Sequence, residues 1–228
     1  VGGGITWDST WESEYREVHQ KAAVLYRKQA RFKLISTGKI SQKSLLFEDQ
    51  HLERLTKASR YFTFPFDPEY LRQKIEEECQ ACDSHQDYRL RISLSKSGEM
   101  ELSRQNLTPL SPTFCKAKLC LQEADLQQAF TYFKTTHRPH LSLGEQESIY
   151  HNAAGELLET SIGNLVLKIA GKLYTPPTSL GILPGIYRQY LLEREQVEEK
   201  VLTLKDLAQA EAIYGCNAVR GLYELEVI

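Results

Sequence analysis

The sequence predicts a mixed α+β chain, with a small α/β unit followed by a larger, mostly β part. Three observations predict it. Over residues 32–122, segments with apolar residues every three to four positions alternate with segments of period two. From Ser148 onward the period-two segments are short and separated by turn residues. Hydrophobic residues make up 41% and charged residues 25% of the 228, so a sizeable core can be buried.

Taken in order, residues 12–27 carry Tyr15, Val18, Ala22 and Leu25 at helical spacing. Residues 32–35 and 44–47 read as strands, and 49–61 as a helix burying Leu52, Leu55 and Phe62. Asp67-Pro68 supplies an N-cap and a proline at the first helical position of a second helix carrying Tyr70, Leu71 and Ile75. Residues 88–94 and 115–121 alternate as strands, with a two-proline loop at 106–113 between them. These six elements form the first unit, residues 31–122. In the second, residues 123–228, 148–150 and 157–158 flank the turn Asn152-Ala153-Ala154-Gly155. Residues 164–169 and 172–175, joined by Ala170-Gly171, read as a β-hairpin. Pro184-Gly185 opens a helix running to about Lys200. Thr203 and Asp206 resemble a capping box for a last helix stopping at Gly215, and 219–227 closes the chain as strands.

The charge balance, 28 basic against 30 acidic residues, gives no electrostatic footprint for nucleic acid or an anionic membrane. No apolar run approaches the roughly 20 residues a membrane helix needs. No basic stretch followed by an apolar one opens the chain. Cys79 and Cys82 form a CxxC without the partner ligands of a zinc site and read as incidental thiols. An odd cysteine count without an export signal points to the reducing cytoplasm.

Five blocks then fall in order over residues 32–228. They are His51-Leu52-Glu53-Arg54-Leu55; Phe133-Lys134-Thr135-Thr136-His137-Arg138; the run from Glu156 through Glu159-Thr160-Ser161-Ile162-Gly163-Asn164 to Val166; Leu173-Tyr174-Thr175-Pro176-Pro177 with Gly181-Ile182-Leu183-Pro184-Gly185-Ile186-Tyr187-Arg188; and Asn217-Ala218-Val219-Arg220-Gly221-Leu222. Together they resemble the fold-type IV pyridoxal phosphate enzymes, in the aminodeoxychorismate lyase branch. That resemblance implies a two-domain, aminotransferase-like architecture: a small α/β sandwich, then a larger pseudo-barrel that holds pyridoxal 5′-phosphate.

It also implies roles. Lys134 would bond to the cofactor aldehyde and act as catalytic base, which requires a free amine; burial near the cofactor would lower its pKa. Glu159 would keep the ring nitrogen protonated, making the ring an electron sink. Arg54 would grip the phosphate with two prongs, joined by the Ile186 and Tyr187 N–H groups at a helix start and by Asn217 and Ala218, while Asn164, also a cofactor-binding candidate, supports the role of Glu159. Thr37, Arg91, Arg138 and Arg220 are the candidates for the substrate and its two carboxylates. Read without the resemblance, Arg54 is a helix-surface arginine beside Glu53, and each of the other arginines is equally a structural surface group. The chain departs from the family where Ser36-Thr37 replaces a common Glu-Thr pair.

Residues 1–30, with Gly2-Gly3-Gly4-Ile5, Asp8-Ser9, Glu14-Tyr15, Glu17 and Lys21-Ala22, resemble the C-terminal tail of chorismate-binding synthases. Aminodeoxychorismate synthase and its lyase occur fused, so this tail points to the lyase and to the C-terminal piece of a longer protein. Glu17 would match a magnesium-binding carboxylate there, but with the rest of that domain missing no metal site is expected. The reading is therefore a cytoplasmic homodimeric lyase that takes 4-amino-4-deoxychorismate to 4-aminobenzoate and pyruvate, with a small-molecule substrate and the synthase domain as a possible partner. Two alternatives stay open: a branched-chain or D-amino acid aminotransferase, and a degenerate domain that docks to the synthase without catalysis.

Overall fold

A computed structural model describes residues 7–26, 31–122, 129–142 and 144–228. Contacts divide the chain into residues 1–31 and 32–228. Gly2-Gly3-Gly4-Ile5 of the synthase-like tail lies outside the described residues. In the first unit, α1 (Trp11–Tyr26) begins with a reciprocal Thr10–Ser13 cap, in which the Ser13 N–H donates to Thr10 Oγ1 at 3.3 Å. No helix among the described residues is long and apolar enough to cross a membrane.

The second unit starts with β1 (Leu34–Ser41) and β2 (Ser44–Leu45), then α2 (Glu48–Phe62) and α3 (Pro68–Gln80), then β3 (Tyr88–Leu94) and β4 (Met100–Asn106). Asp67 caps α3 as expected, accepting from the Glu69 and Tyr70 N–H groups. The four strands form one sheet in the order β2-β1-β3-β4. Strand alternation gives this sheet two unlike faces. Leu34, Ile40, Leu90, Ile92 and Leu94 turn inward with Leu52 and Leu55 of α2 and Leu71 and Ile75 of α3. Each such side chain contributes about 1.5–3 kcal/mol by leaving water. Thr37, Lys39, Arg89 and Arg91 fall on the other face, where the register sets Thr37 beside Arg91 and Lys39 beside Arg89.

The chain continues through β5 (Lys116–Leu121), α4 (Ala129–Tyr132), β6 (Glu147–His151), β7 (Leu157–Thr160), β8 (Asn164–Ile169) and β9 (Lys172–Thr175). It then passes through α5 (Ile186–Glu193), β10 (Glu198–Glu199), α6 (Leu204–Ala208), β11 (Ala212–Asn217) and β12 (Gly221–Val227). The sheet order is β10-β9-β8-β11-β12-β5-β6-β7, and β7 returns to pair with β8. Six strands thus close into a barrel, the pseudo-barrel the motifs implied, and β9 and β10 extend from it.

Four expectations are corrected. The strand at 116–121 belongs to the larger sheet, between β12 and β6; its place in the small sheet is taken by β4, whose polar run Glu101, Ser103, Gln105 hid it. The predicted strand at 44–47 is shorter: Phe47 takes φ 60° as the N-cap of α2. The helix from Gly185 stops at Glu193, not near Lys200. Glu195 adopts φ 55°, the Glu195 and Gln196 N–H groups close back on Leu192 and Leu191, and Glu198–Glu199 pairs with β9. The last helix ends at Ala208, because residues 212–217 pair with β8 and β12.

Candidate active site

Lys134 is carried by a segment clamped to the small sheet. Its carbonyl accepts from the Ile35 N–H at 2.9 Å, and the Thr136 N–H donates to Lys33 O at 2.9 Å. Thr135 forms an isolated bridge with Leu34 and its hydroxyl donates to His137 O at 2.8 Å. Just before the lysine, Phe130 and Phe133 enter an aromatic cluster with Phe32, Tyr61 and Phe62. The lysine is therefore placed by backbone pairing and by ring packing. Burial holds its pKa well below the usual lysine range, and Arg54, Arg138, Arg89 and Arg91 add to the effect. Burial and the four guanidinium groups thus all favour the neutral amine over the charged one.

Glu159, at 2% exposure, lies on β7 opposite Asn164. Burial raises its pKa; Arg138, the Leu183 N–H and Lys134 oppose that rise. Arg138 Nη2 lies 3.2 Å from Glu159 Oε1. The next turn is tight: the Thr160 N–H donates to Gly163 O at 2.9 Å, and the Gly163 N–H donates to Thr160 Oγ1 at 3.1 Å. A Cβ on Gly163 would stand 2.5 Å from Cys216 O, so the close approach of β11 requires glycine.

A third group of residues makes an anion cradle. Arg54 lies one turn along α2 from His51, and its Nη2 donates to Pro184 O at 2.9 Å. Burial, then Arg138, lowers its pKa to about 10. Pro184 leads into α5, whose N-cap Gly185 has no side chain to occupy the first-turn N–H groups of Ile186 and Tyr187. Asn164 lies beside the cradle and donates from Nδ2 to Leu183 O at 2.8 Å. A Cβ on Gly185 would fall 1.9 Å from Asn164 Oδ1. The turn after β11 sits alongside: a Cβ on Gly221 would meet the Tyr187 hydroxyl at 3.3 Å. Asn217 builds that turn by accepting from the Val219 and Arg220 N–H groups at 3.0 and 2.9 Å, with the nearly buried Ala218 between.

The remaining predicted residues divide. Thr37 and Arg91 share the site-facing surface of the small sheet. Arg220 donates from Nη1 to Thr108 O, and the nearby Leu107 N–H bonds to Asp87 O at the foot of β3. Arg138 sits on the Glu159 carboxylate, with Nε buried and without a partner among the described residues.

Sequence reasoning passed over Arg89. It shares the Arg91 face, burial lowers its pKa, and it interacts electrostatically with Lys134, Arg91 and Arg220. The Arg-Leu-Arg alternation on a strand was the signal that could have found it. His51 was also passed over: fully buried, its Nδ1 lies 2.7 Å from Ser36 Oγ, and burial holds its pKa at about 3. Ser36 thus ties β1 to α2 rather than facing the site. Arg188 of the Pro-Gly block is structural: it is buried and donates to Pro176 O at 2.8 Å and to Glu199 Oε1. No group of histidine, cysteine, aspartate or glutamate among the described residues is arranged to hold a metal ion.

Residues 33–228 match the family described as amino-transferase class IV. Among solved structures, the chain is similar to a Mesorhizobium loti protein provisionally named an amino-acid aminotransferase. The two are 28% identical with a TM-score of 0.76, over 86% of this chain and 100% of that one. A Haemophilus somnus protein provisionally named a 4-amino-4-deoxychorismate lyase is 24% identical with a TM-score of 0.67, over 85% and 100%; this likeness concerns the fold. An uncharacterized Haemophilus influenzae protein is 35% identical over 68 residues, which span 30% of this chain and 35% of that protein's length.

Proposed function

The chain belongs to the amino-transferase class IV family, and from that premise we propose that it is a lyase converting 4-amino-4-deoxychorismate to 4-aminobenzoate and pyruvate. The family depends on pyridoxal 5′-phosphate. The residues present fit that cofactor: a desolvated lysine with its pKa lowered, a buried carboxylate, and a cradle of one arginine and an uncapped helix start kept clear by Gly185. Arg54 and the Ile186 and Tyr187 N–H groups would hold its phosphate, Glu159 its ring nitrogen, and Lys134 its aldehyde carbon.

The observation that carries the lyase reading is the number of arginines. With Arg54 assigned to the phosphate, Arg89 and Arg91 still act on Lys134 and Arg220 on Arg89, a further cluster of positive charge. A substrate with two carboxylates accounts for such a charge, since guanidinium groups bind carboxylates in pairs of parallel hydrogen bonds. When bound, the cofactor supplies an aldehyde that captures the substrate amine and a ring that stores an electron pair. The protein does the rest. Lys134 Nζ, whose neutral form burial favours, removes the proton from the carbon bearing the amine. Glu159 would accept a hydrogen bond from the protonated ring nitrogen and so favour that protonated form. Arg89, Arg91 and Arg220 hold the carboxylates so that the enolpyruvyl C–O bond can break. Lys134 then returns its proton to the departing three-carbon fragment, and aromatisation of the ring drives the step.

The test is turnover: 4-aminobenzoate and pyruvate formed in equal amounts, with the cofactor recovered as aldehyde. A second reading, an amino-acid aminotransferase, is favoured by the Mesorhizobium loti likeness. It predicts conversion of the cofactor to its amine form by amino acids, and that result would replace the lyase reading.

A further inference from the structure

We propose that Arg138 is a positioning residue for Glu159, which keeps that carboxylate charged and aimed at the cofactor ring and does not receive a substrate carboxylate. The inference rests on the reading that Glu159 faces the ring nitrogen. The two groups lie 3.2 Å apart, with side chains only 15% and 2% exposed. A carboxylate buried this deeply takes up a proton unless a cation stands beside it. A guanidinium keeps its charge across the working pH range, so Arg138 opposes that proton uptake, while burial remains the larger influence on Glu159.

The fold supports the assignment. Arg138 lies one turn of chain beyond Lys134, in the segment pinned to β1 through Lys33 and Thr136. The segment that places the amine therefore also places the cation that charges the carboxylate. Burial and Arg138 push the Glu159 proton equilibrium in opposite directions. To meet a substrate carboxylate, Arg138 would have to leave Glu159 buried and unpaired, the costly way to break a buried pair. Arg89 and Arg91 face no such conflict: neither makes an ion pair among the described residues, and both stand near Lys134.

The experiment uses the full chain freed of cofactor. Pyridoxal phosphate is titrated by absorbance into Arg138→Gln, Arg138→Lys and Glu159→Gln. In parallel, the carbocyclic analogue is titrated, in which C–H replaces the ring nitrogen. Arg138→Gln is expected to weaken pyridoxal phosphate about tenfold, the loss of one charge-assisted hydrogen bond, and to leave the analogue unchanged. Arg138→Lys recovers most of the loss, and kcat falls in the glutamine variant while KM holds. Equal weakening of both ligands would make Arg138 merely structural. A raised KM with unchanged kcat would make it a substrate receptor. Either result overturns the proposal while leaving Glu159 in place. If Glu159→Gln itself fails to distinguish cofactor from analogue, the underlying reading falls too. Should Arg138→Gln lose cooperative melting, Arg138→Lys carries the same comparison, and equal weakening of both ligands is again the refuting result.

Discussion

Glu147 on β6 and Glu159 on β7 sit on paired strands of one barrel, at 0% and 2% exposure, and burial raises the pKa of both. Their partners differ. Glu147 accepts from the Ser161 N–H at 2.8 Å, the Ser148 N–H at 3.2 Å and the Tyr223 hydroxyl at 3.0 Å, all neutral and all built into the barrel. Those bonds tie β6, the turn after β7 and β12 together. Glu159 has an arginine at its edge, a backbone N–H from the cradle loop and a desolvated lysine nearby. One carboxylate is used up by the fold; the other has cationic neighbours that oppose its uptake of a proton. Burial alone marks neither as functional. The character of the donors separates them.

Lys134→Ala should break the site side of this comparison most severely. Turnover is expected to fall about a hundredfold to ten-thousandfold, the range for a lost general base, with the melting temperature nearly unchanged. Borohydride should trap the cofactor on a peptide containing Lys134 in the parent chain; trapping elsewhere refutes the assignment. Glu159→Gln is next. A loss of about a hundredfold to a thousandfold in kcat, as for other groups that meet developing charge, with KM unchanged, is the expected pattern. A raised KM with kcat intact would move Glu159 to the substrate.

Arg54→Ala should weaken cofactor binding by about 1.5–3 kcal/mol, read by absorbance titration; unchanged affinity would return Arg54 to the helix surface. Glu147→Gln sharpens the comparison from the other side. It should cost about 1–3 kcal/mol of unfolding free energy, because the amide N–H₂ must replace either the oxygen shared by the Ser148 and Ser161 N–H groups or the one that accepts from Tyr223, yet cofactor affinity should hold. A large change in affinity would erase the distinction between the two glutamates.

The smallest effect expected is on pH dependence. His51 and His140 are held at about 3 and about 4 by burial, with cationic neighbours adding to the shift. An unfolded histidine gains its proton near 6.5. Their contribution is therefore fully present above 6.5 and is lost as pH falls through about 4 and then about 3. The two glutamates carry the opposite sign. Their raised pKa values favour the folded state in acid, and that contribution fades as pH rises above 4.5. Denaturant midpoints between pH 4 and 6.5 should slope less in His51→Gln than in the parent; an unchanged slope would show that His51 does not set this limb.

Much of the site was legible as motif. Lys134, Glu159, Arg54 and the Pro184-Gly185 helix start were all named from blocks of residues, and the structure brings them around one lysine. Asn164 and Asn217 were named as well, and both side chains bond to backbone beside the cradle. Arg89 and the Arg138–Glu159 pair were not read, because side chains far apart in the chain meet only after β3, the Lys134 segment and β7 are packed together.

By itself the sequence determined whatever depends on neighbours along the chain. Asp67-Pro68 caps α3, Thr203 and Asp206 form the capping box of α6, and Ala170-Gly171 turns the β8–β9 hairpin, since each needs only a few consecutive residues. Tertiary structure decided where α5 and α6 stop, which sheet the strand at 116–121 joins, and which arginine stands beside which carboxylate. Helical spacing continues past Glu193 in the sequence, but pairing of residues 198–199 with β9 and the buried Arg188–Glu199 contact draw the chain away. Likewise Arg138 reads as one arginine among many until burial removes water from around Glu159; the charge that a buried carboxylate needs is then supplied by the guanidinium the fold sets beside it.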